Sequence, residues 1–266
     1  MSEFEENIQI TIEEPSTPKI VFIIPYRDRE QQLHFFRRQM KHVLEDIDEK
    51  DYEMYFIHQA DKRSFNCGAM KNIGFLYVKQ KYPQHYRSIT LVFNDVDTMP
   101  FSKNFLQYPT SPGIVKHFYG FNYTLGGIVS ITGYDFERVN GFPNFWGWGY
   151  EDNLLDKRVK EARIKIDRTQ FYPFADKNIL HFFDGLMKHV NSDDVRRYAK
   201  NTKEGWISIK NMDYEYDADT NMVNVTSFDT GIPENKKTAF THDLRNGSTP
   251  AHGVRMGRGN TMNMIL

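Results

Sequence analysis

Residues 20–26, IVFIIPY, form a continuous apolar run, the pattern of a strand buried on both faces. The segment 29–47 then places Leu33, Phe36, Met40, Val43, Leu44 and Ile47 at helical spacing. YEMYFIHQA (52–60) reads as a second strand, NCGAMKNIGFLYVKQKY (66–82) as a helix and SITLVFNDVD (88–97) as a third strand. This alternation predicts a parallel sheet with right-handed crossovers. In such sheets ligands gather at the carboxyl ends of the strands, where PYRDR and NDVD fall. GGIVSIT (126–132) predicts another strand, ILHFF (179–183) a further one, and 150–164 a helix with acids in its first turn, where the helix dipole favours them. Residues 1–18 read as a mobile acidic arm, 19–233 as one domain and 234–266 as a polar, Gly-rich, loosely ordered tail. The charged stretch 185–205 shows no clear periodicity, and there is no internal repeat.

The 266 residues suffice for one large core and force no division. A formal net charge of −1 argues against a polyanion-binding surface, so no nucleic-acid partner is expected. The single cysteine, Cys67, excludes an internal disulfide and favours a reducing compartment. The acidic start lacks the bases and apolar run of a signal peptide, and no stretch is long enough to span a bilayer. These features predict a cytoplasmic protein without a membrane anchor.

Two clusters carry candidate chemistry. In FNDVDTMP, Asp95 and Asp97 stand one residue apart, and an extended chain would point both to one side. Like charges so close call for compensation, and a divalent cation supplies it. An EF-hand fails because Thr98-Met99-Pro100 follow. A two-aspartate phosphohydrolase is the rival, but Met99 breaks its pattern and no second lysine-bearing motif is evident. The remaining option is a metal that bridges the diphosphate of a nucleotide. In GFPNFWGWGYEDNLL (141–155), two tryptophans flank a glycine ahead of Glu151 and Asp152. The glycines would let a loop swing, Trp148 would offer a flat face, and the acids at the helix start would serve as base and orienter.

Four blocks in order, IIPYRDREQQLHFF, FNCGAMKNIGF, FNDVDTMP and GGIVSIT…NGFPNFWGWGYEDN, resemble the β-1,4-galactosyltransferase family of inverting glycosyltransferases (glycosyltransferase family 7). The resemblance spans roughly residues 20 to 230. It implies an α/β GT-A fold in a single domain, with a Rossmann-like, mixed but largely parallel sheet flanked by helices. It also implies a UDP-sugar donor, a carbohydrate or glycoconjugate acceptor, and Mn²⁺. By position, Asp97 and His181 would ligate the metal, with a third ligand near Asn178. Pro25, Tyr26, Arg27, Arg29, Phe65, Asp95, Val96, Gly127 and Trp148 would contact the donor. Asp152 would be the catalytic base, and Trp148, Glu151, Asp152 and Asn153 would meet the acceptor. Thr124 falls where the family sets donor specificity. A Tyr there restricts the sugar to galactose, and the smaller Thr would admit N-acetylgalactosamine, unless Tyr123 or Phe121 fills the space.

The chain departs from the family pattern at Cys67 (an Arg in many members), Asn153 (usually Asp) and Phe183 (a second His in some). Disulfides and a membrane anchor are also missing, which suits a soluble bacterial or viral relative. Two alternatives share features of the sequence: a polysaccharide-polymerase-like GalNAc/GlcNAc transferase, for which the chain is short, and an inactive sugar-binding protein, which would tolerate loss of Asp97 or Asp152.

Overall fold

The computed structural model describes residues 17–183 and 185–247. In chain order its elements are β1 (Ile20–Tyr26), α1 (Glu30–Val43), β2 (Tyr52–Gln59), α2 (Cys67–Lys81), β3 (Thr90–Asn94), β4 (Thr98–Pro100), β5 (Ile114–Gly120), β6 (Ile128–Thr132) and α3 (Gly133–Arg138). They continue as α4 (Glu151–Glu161), β7 (Lys165–Asp167), β8 (Tyr172–Pro173), β9 (Ile179–His181), β10 (Met187–Asn191), α5 (Ser192–Ala199), β11 (Lys210–Asp217), β12 (Met222–Asp229) and β13 (Ala239–Asp243).

The central sheet runs β11-β12-β2-β1-β3-β6-β5-β7, with β8 beside β5. β1 is parallel to β2 and β3, and β12 is parallel to β2. β6 lies antiparallel between β3 and β5. β1 is buried on both faces, as its unbroken apolar run requires. Val21 and Ile23 enter one core with Ala69, Met70 and Ile73 of α2. Ile20, Phe22 and Ile24 enter the other with Leu33, Phe36 and Met40 of α1. The sheet is therefore a filled layer between helices, the mixed and largely parallel α/β arrangement that the sequence predicts.

α2 is buried almost all round, and this has a local cause. A Cβ on Gly74 would overlap Ile23, and one on Gly68 would overlap the Pro143 carbonyl. These two glycines let the helix lie close to the sheet on one side and to residues 142–143 on the other. Asn66 caps it, accepting from Ala69 N–H at 2.9 Å.

The tail is the main departure from expectation. Residues 1–16 of the arm and 248–266 of the tail lie outside the described residues, but 234–247 are built into the fold. β13 pairs antiparallel with β10, from Met187↔Asp243 to Asn191↔Ala239. The buried carboxylate of Glu234 accepts from Ser64 N–H at 3.2 Å and from the Ser64 hydroxyl. AFTHD holds its strand by pairing with β10, so it carries little apolar periodicity of its own. The charged stretch 185–205 supplies β10 and α5. Among the described residues, no helix is long and apolar enough to cross a membrane.

Candidate active site

The carboxyl ends of β1 and β3, the start of β4, the N-terminus of α4 and the β9–β10 region surround one cavity of about 580 Å³. It is the place that strand topology predicts for a ligand.

Asp95 and Asp97 both line this cavity, but they do not converge along an extended strand. β3 ends at Asn94, and a turn follows in which Thr98 N–H donates to Asp95 O at 3.1 Å. The Asn94 amide closes it by donating to the Asp95 and Thr98 carbonyls, both at 2.8 Å. Asp97 is only 9% exposed. Burial and the nearby Asp95 charge raise its pKa, against the pull of Arg29 and Lys188. Arg29 Nη1 lies 2.8 Å from Asp97 Oδ2.

His181 reaches the same place through the β4–β9 pairing. It stands opposite Thr98, and Phe182 N–H donates to the Asp97 carbonyl at 2.8 Å. Burial lowers the His181 pKa, with Asp95 opposing, so the imidazole is held towards its neutral, ligating form. Its Nδ1 lies 2.9 Å from the Tyr119 hydroxyl oxygen, which also accepts from Ala175 N–H at 3.1 Å. In the tautomer that donates from Nδ1, Nε2 presents a lone pair, as in a ligating histidine whose other nitrogen is held by a hydrogen bond. Among the described residues, no three His, Cys or carboxylate side chains form a closed metal cage. An Asp97–His181 pair is instead an open donor set, with coordination positions left for ligand oxygens. A crowded pair of carboxylates beside a neutral imidazole fits a borderline divalent cation.

Asn178 is not part of this group. It lies beyond the far end of the β4–β9 pair, and its amide donates to Asp176 Oδ1 at 3.0 Å. Phe183, two residues past His181 on the same face, stacks on the imidazole at 4.5 Å.

Another wall of the cavity is built on α4. Gly149 (φ 102) and Tyr150 (φ 71) both adopt the left-handed region and turn the chain into the helix. Tyr150 is held there by burial and by its ring contact with Tyr198 at 4.8 Å. Glu151 and Asp152 then occupy the first turn and face the cavity. A Cβ on Gly126 would overlap Asp152 Oδ2, so this glycine makes room for the carboxylate. Burial raises the Asp152 pKa, Lys71 pulls it down and Asp95 raises it further. Burial and then Asp152 raise that of Glu151, whose Oε2 is buried without a partner in the protein. Such an atom suits a ligand hydroxyl.

The two tryptophans divide. Trp146 is core, stacked on Phe228 at 5.8 Å with its indole N–H donating to Ile232 O at 2.9 Å. Both line the cavity, Trp146 from the core and Trp148, which is only half-buried, from the loop. The loop between them is docked: Gly147 N–H donates to Asp194 Oδ2 at 2.6 Å, and Trp148 N–H to His189 O at 2.7 Å. A Cβ on Gly147 would overlap Asn191.

Of the other expected residues, Pro25, Arg27, Arg29, Phe65, Val96, Gly127 and Thr124 line the cavity. Arg27 lies over the Phe65 ring at 5.3 Å and donates to the Arg63 carbonyl at 2.5 Å. Thr124 faces the cavity and Tyr123 does not; Tyr123 stacks on Phe121, which does, at 5.4 Å. Tyr26 and Asn153 do not line it. Tyr26 follows Pro25 on the alternate face of β1 and packs near His58 at 5.4 Å, and Asn153 is turned about 100° from Asp152 around the helix.

The sequence reading missed Lys71, Tyr119 and Lys188. Lys71 had a signal: the one charged side chain in the stretch GAMKNIGF. Its Nζ lies 3.4 Å from both Asp95 Oδ1 and Asp152 Oδ1. The lysine that a phosphohydrolase reading needs is therefore present in space, contrary to the expectation from motifs.

Two family models match, the N-terminal region of glycosyl transferase group 7 over residues 13–108 and the N-terminal domain of galactosyltransferase over 115–183. Together they cover more than half of the chain. Mouse β-1,4-galactosyltransferase 5 is 30% identical over 213 residues, covering 75% of this chain and 53% of the relative. Human β-1,4-galactosyltransferase 1 is 30% identical over 204 residues, covering 73% and 49%. The chain thus spans about half the length of the curated relatives it matches. The catalytic domain of Drosophila β-1,4-galactosyltransferase 7, solved with xylobiose, superposes with a TM-score of 0.63 at 20% identity, covering 84% of this chain and 98% of that one. A variant of that enzyme, solved with manganese, UDP-Gal and xylobiose, gives 0.61. The superposition establishes the GT-A fold, and the two matched models together with these relatives show that the chain belongs to glycosyl transferase group 7.

Proposed function

We propose that the chain is an inverting, Mn²⁺-dependent glycosyltransferase that moves galactose or N-acetylgalactosamine from a UDP-sugar to a sugar hydroxyl, forming a β-glycosidic bond. One observation carries this reading: the open donor set of Asp97 and His181 and the wedged carboxylate of Asp152 face a single cavity. UDP-Gal and manganese in the fly enzyme support the choice of donor and metal.

Asp97 and His181 would hold the cation, which when bound offsets charge on the departing diphosphate. Arg27 and Arg29 add fixed positive charge on the same side. Phe65 and Trp148 offer apolar faces to the bound donor. Asp152 accepts the proton of the acceptor hydroxyl as its oxygen bonds to the anomeric carbon and the bond from that carbon to the diphosphate breaks. Attack on the opposite face inverts the centre without a covalent enzyme intermediate. Glu151 Oε2 takes a hydrogen bond to the acceptor sugar.

The phosphohydrolase reading is favoured by one observation, the approach of Lys71 to Asp95 at 3.4 Å. The same ammonium lies equally close to Asp152, which that chemistry does not use. UDP-sugars with Mn²⁺, assayed for UDP release with and without simple sugar acceptors, separate the two. Acceptor-stimulated UDP release is expected, and phosphate release from simple esters without it would reverse the assignment.

Donor choice turns on Thr124. It is 6% exposed at the cavity wall, and its hydroxyl donates to the Phe121 carbonyl at 3.2 Å. A side chain this small leaves room for a C2 N-acetyl group, and one well-placed ring would remove it. With equal UDP-Gal and UDP-GalNAc, the parent should transfer both and Thr124→Tyr should shift towards galactose. An unchanged ratio in the variant would show that Thr124 is not the gate.

A further inference from the structure

Lys71 is a cavity residue without a role in the reading above. Its side chain, on the second turn of α2, is 3% exposed. Burial alone would lower its pKa, but Asp152 and Asp95 outweigh burial and hold it above the ordinary value. The ammonium stays charged, with its Nζ 4.7 Å from the centre of the Phe142 ring. The groups around it come from separate parts of the chain: Asp95 from the β3–β4 turn, Asp152 and Glu151 from α4, and Cys67 one turn earlier on α2. Lys71 therefore ties the donor-side turn to the first turn of the helix that carries the base.

The placement is asymmetric for Asp152. Oδ1 meets Lys71 at 3.4 Å, while Oδ2 lies over Gly126, where a Cβ would overlap it. One oxygen is held by charge and the other by a steric slot, which leaves the carboxylate a single orientation. Glu151 is adjacent and also buried, so without a nearby cation two carboxylates would compete to remain ionised.

We propose that Lys71 is the positioning residue of the general base: its ammonium fixes the orientation of Asp152 and keeps it ionised beside Glu151. This rests on the transferase reading and deepens it. The competing role is that of a core ion pair which stabilises the fold and leaves the base unaffected.

Lys71→Met keeps the length and removes the charge. The pH profile of kcat is measured at saturating Mn²⁺, so that proton competition at His181 is suppressed. Loss of an opposite charge at this range should move the acid limb upward by roughly 1–3 pH units, with partial recovery at high pH. The fall should be in kcat more than in the donor KM. Lys71→Arg, which retains the charge, should keep the limb near its parent position even if kcat falls. A uniform loss at every pH with an unmoved limb in Lys71→Met overturns the proposal. So does an equal limb shift in Lys71→Arg, and that arm decides if Lys71→Met does not fold.

Melting gives a readout independent of turnover. The deficit of Lys71→Met relative to the parent should grow as pH rises and the carboxylates ionise with no ammonium beside them, and it should grow less in an Asp152→Asn background. A pH-independent deficit, or one insensitive to Asp152→Asn, again overturns the role. If the parent turns over no UDP-sugar, the transferase reading fails while the melting series still reports on the Lys71–Asp152 link.

Discussion

The two ends of the cavity face the same electrostatic problem and meet it differently. At the donor end, Asp95 and Asp97 crowd together, and the cation beside Asp97 is Arg29, its side chain 27% exposed. At the base end, Asp152 and Glu151 crowd together, and their cation is Lys71, its side chain 3% exposed, which also reaches Asp95 at 3.4 Å. The first end borrows charge from a partly solvated guanidinium and keeps a neutral imidazole ready for a metal. The second carries its counter-charge in the core. The donor end should therefore respond to solution conditions, and the base end chiefly to changes in the chain.

Metal removal is the strongest way to break this symmetry. EDTA should abolish turnover and added Mn²⁺ should restore it, because Asp97 and His181 form the donor set for the cation at the donor end. Asp97→Ala should likewise lose most activity. It also removes the ion pair between Asp97 and Arg29, a change that a thermal melt would register. Full turnover in EDTA would place the chemistry elsewhere. The complementary change is Asp152→Asn, which keeps shape and removes basicity. Donor binding in Mn²⁺ should stay near normal while transfer falls on the order of 10²–10⁴-fold. Transfer at the parent rate would move the role of base to Glu151.

The two ends also differ in how far the sequence exposed them. The β1–α1–β2–α2–β3 frame was legible because its periodicities are strong and each element buries its own apolar face. Asp95, Asp97 and Asp152 were legible because carboxylates cluster in short motifs. What could not be read was whatever depends on contact between distant segments. The turn after Asn94 is closed by side-chain hydrogen bonds, and β13 exists through pairing with β10. Lys71 meets Asp152 across 81 positions of sequence. Asn178 was misplaced because proximity to His181 along the chain carries no information about the β4–β9 register.

A smaller effect is expected from Gly126→Ala. The glycine lies under Asp152 Oδ2, and its φ is not in the left-handed region, so alanine is compatible with the backbone there. The added methyl must displace the carboxylate. Misplacing a reacting group by about 1 Å costs on the order of 10²-fold. Transfer should fall by that order, with donor affinity and Mn²⁺ dependence retained. A rate within a few-fold of the parent would mean that Asp152 reacts from a different orientation.

The smallest effect at neutral pH concerns His117, which underlies both ends. Arg168 Nε donates to its Nδ1 at 3.2 Å, which makes Nε2 the protonated nitrogen. Nε2 lies 3.0 Å from the Tyr119 carbonyl and 3.1 Å from that of Gly126. One shared N–H therefore supports the segment behind His181 and the slot for Asp152. Burial, followed by the Arg168 charge, lowers the His117 pKa to about 4. Between that value and the unfolded value near 6.5, the unfolded chain binds a proton that the folded chain does not. Acidification through this window must then favour unfolding. The loss amounts to about 3 kcal/mol once the pH is below both values, at 1.36 kcal/mol per unit. His117→Gln can accept from Arg168 and donate to a carbonyl without titrating. Chemical denaturation from pH 7 down to 4 should show the parent losing stability faster than this variant, with the two converging in slope above pH 7. Parallel curves throughout would show that His117 is not the acid-sensitive support shared by the two ends.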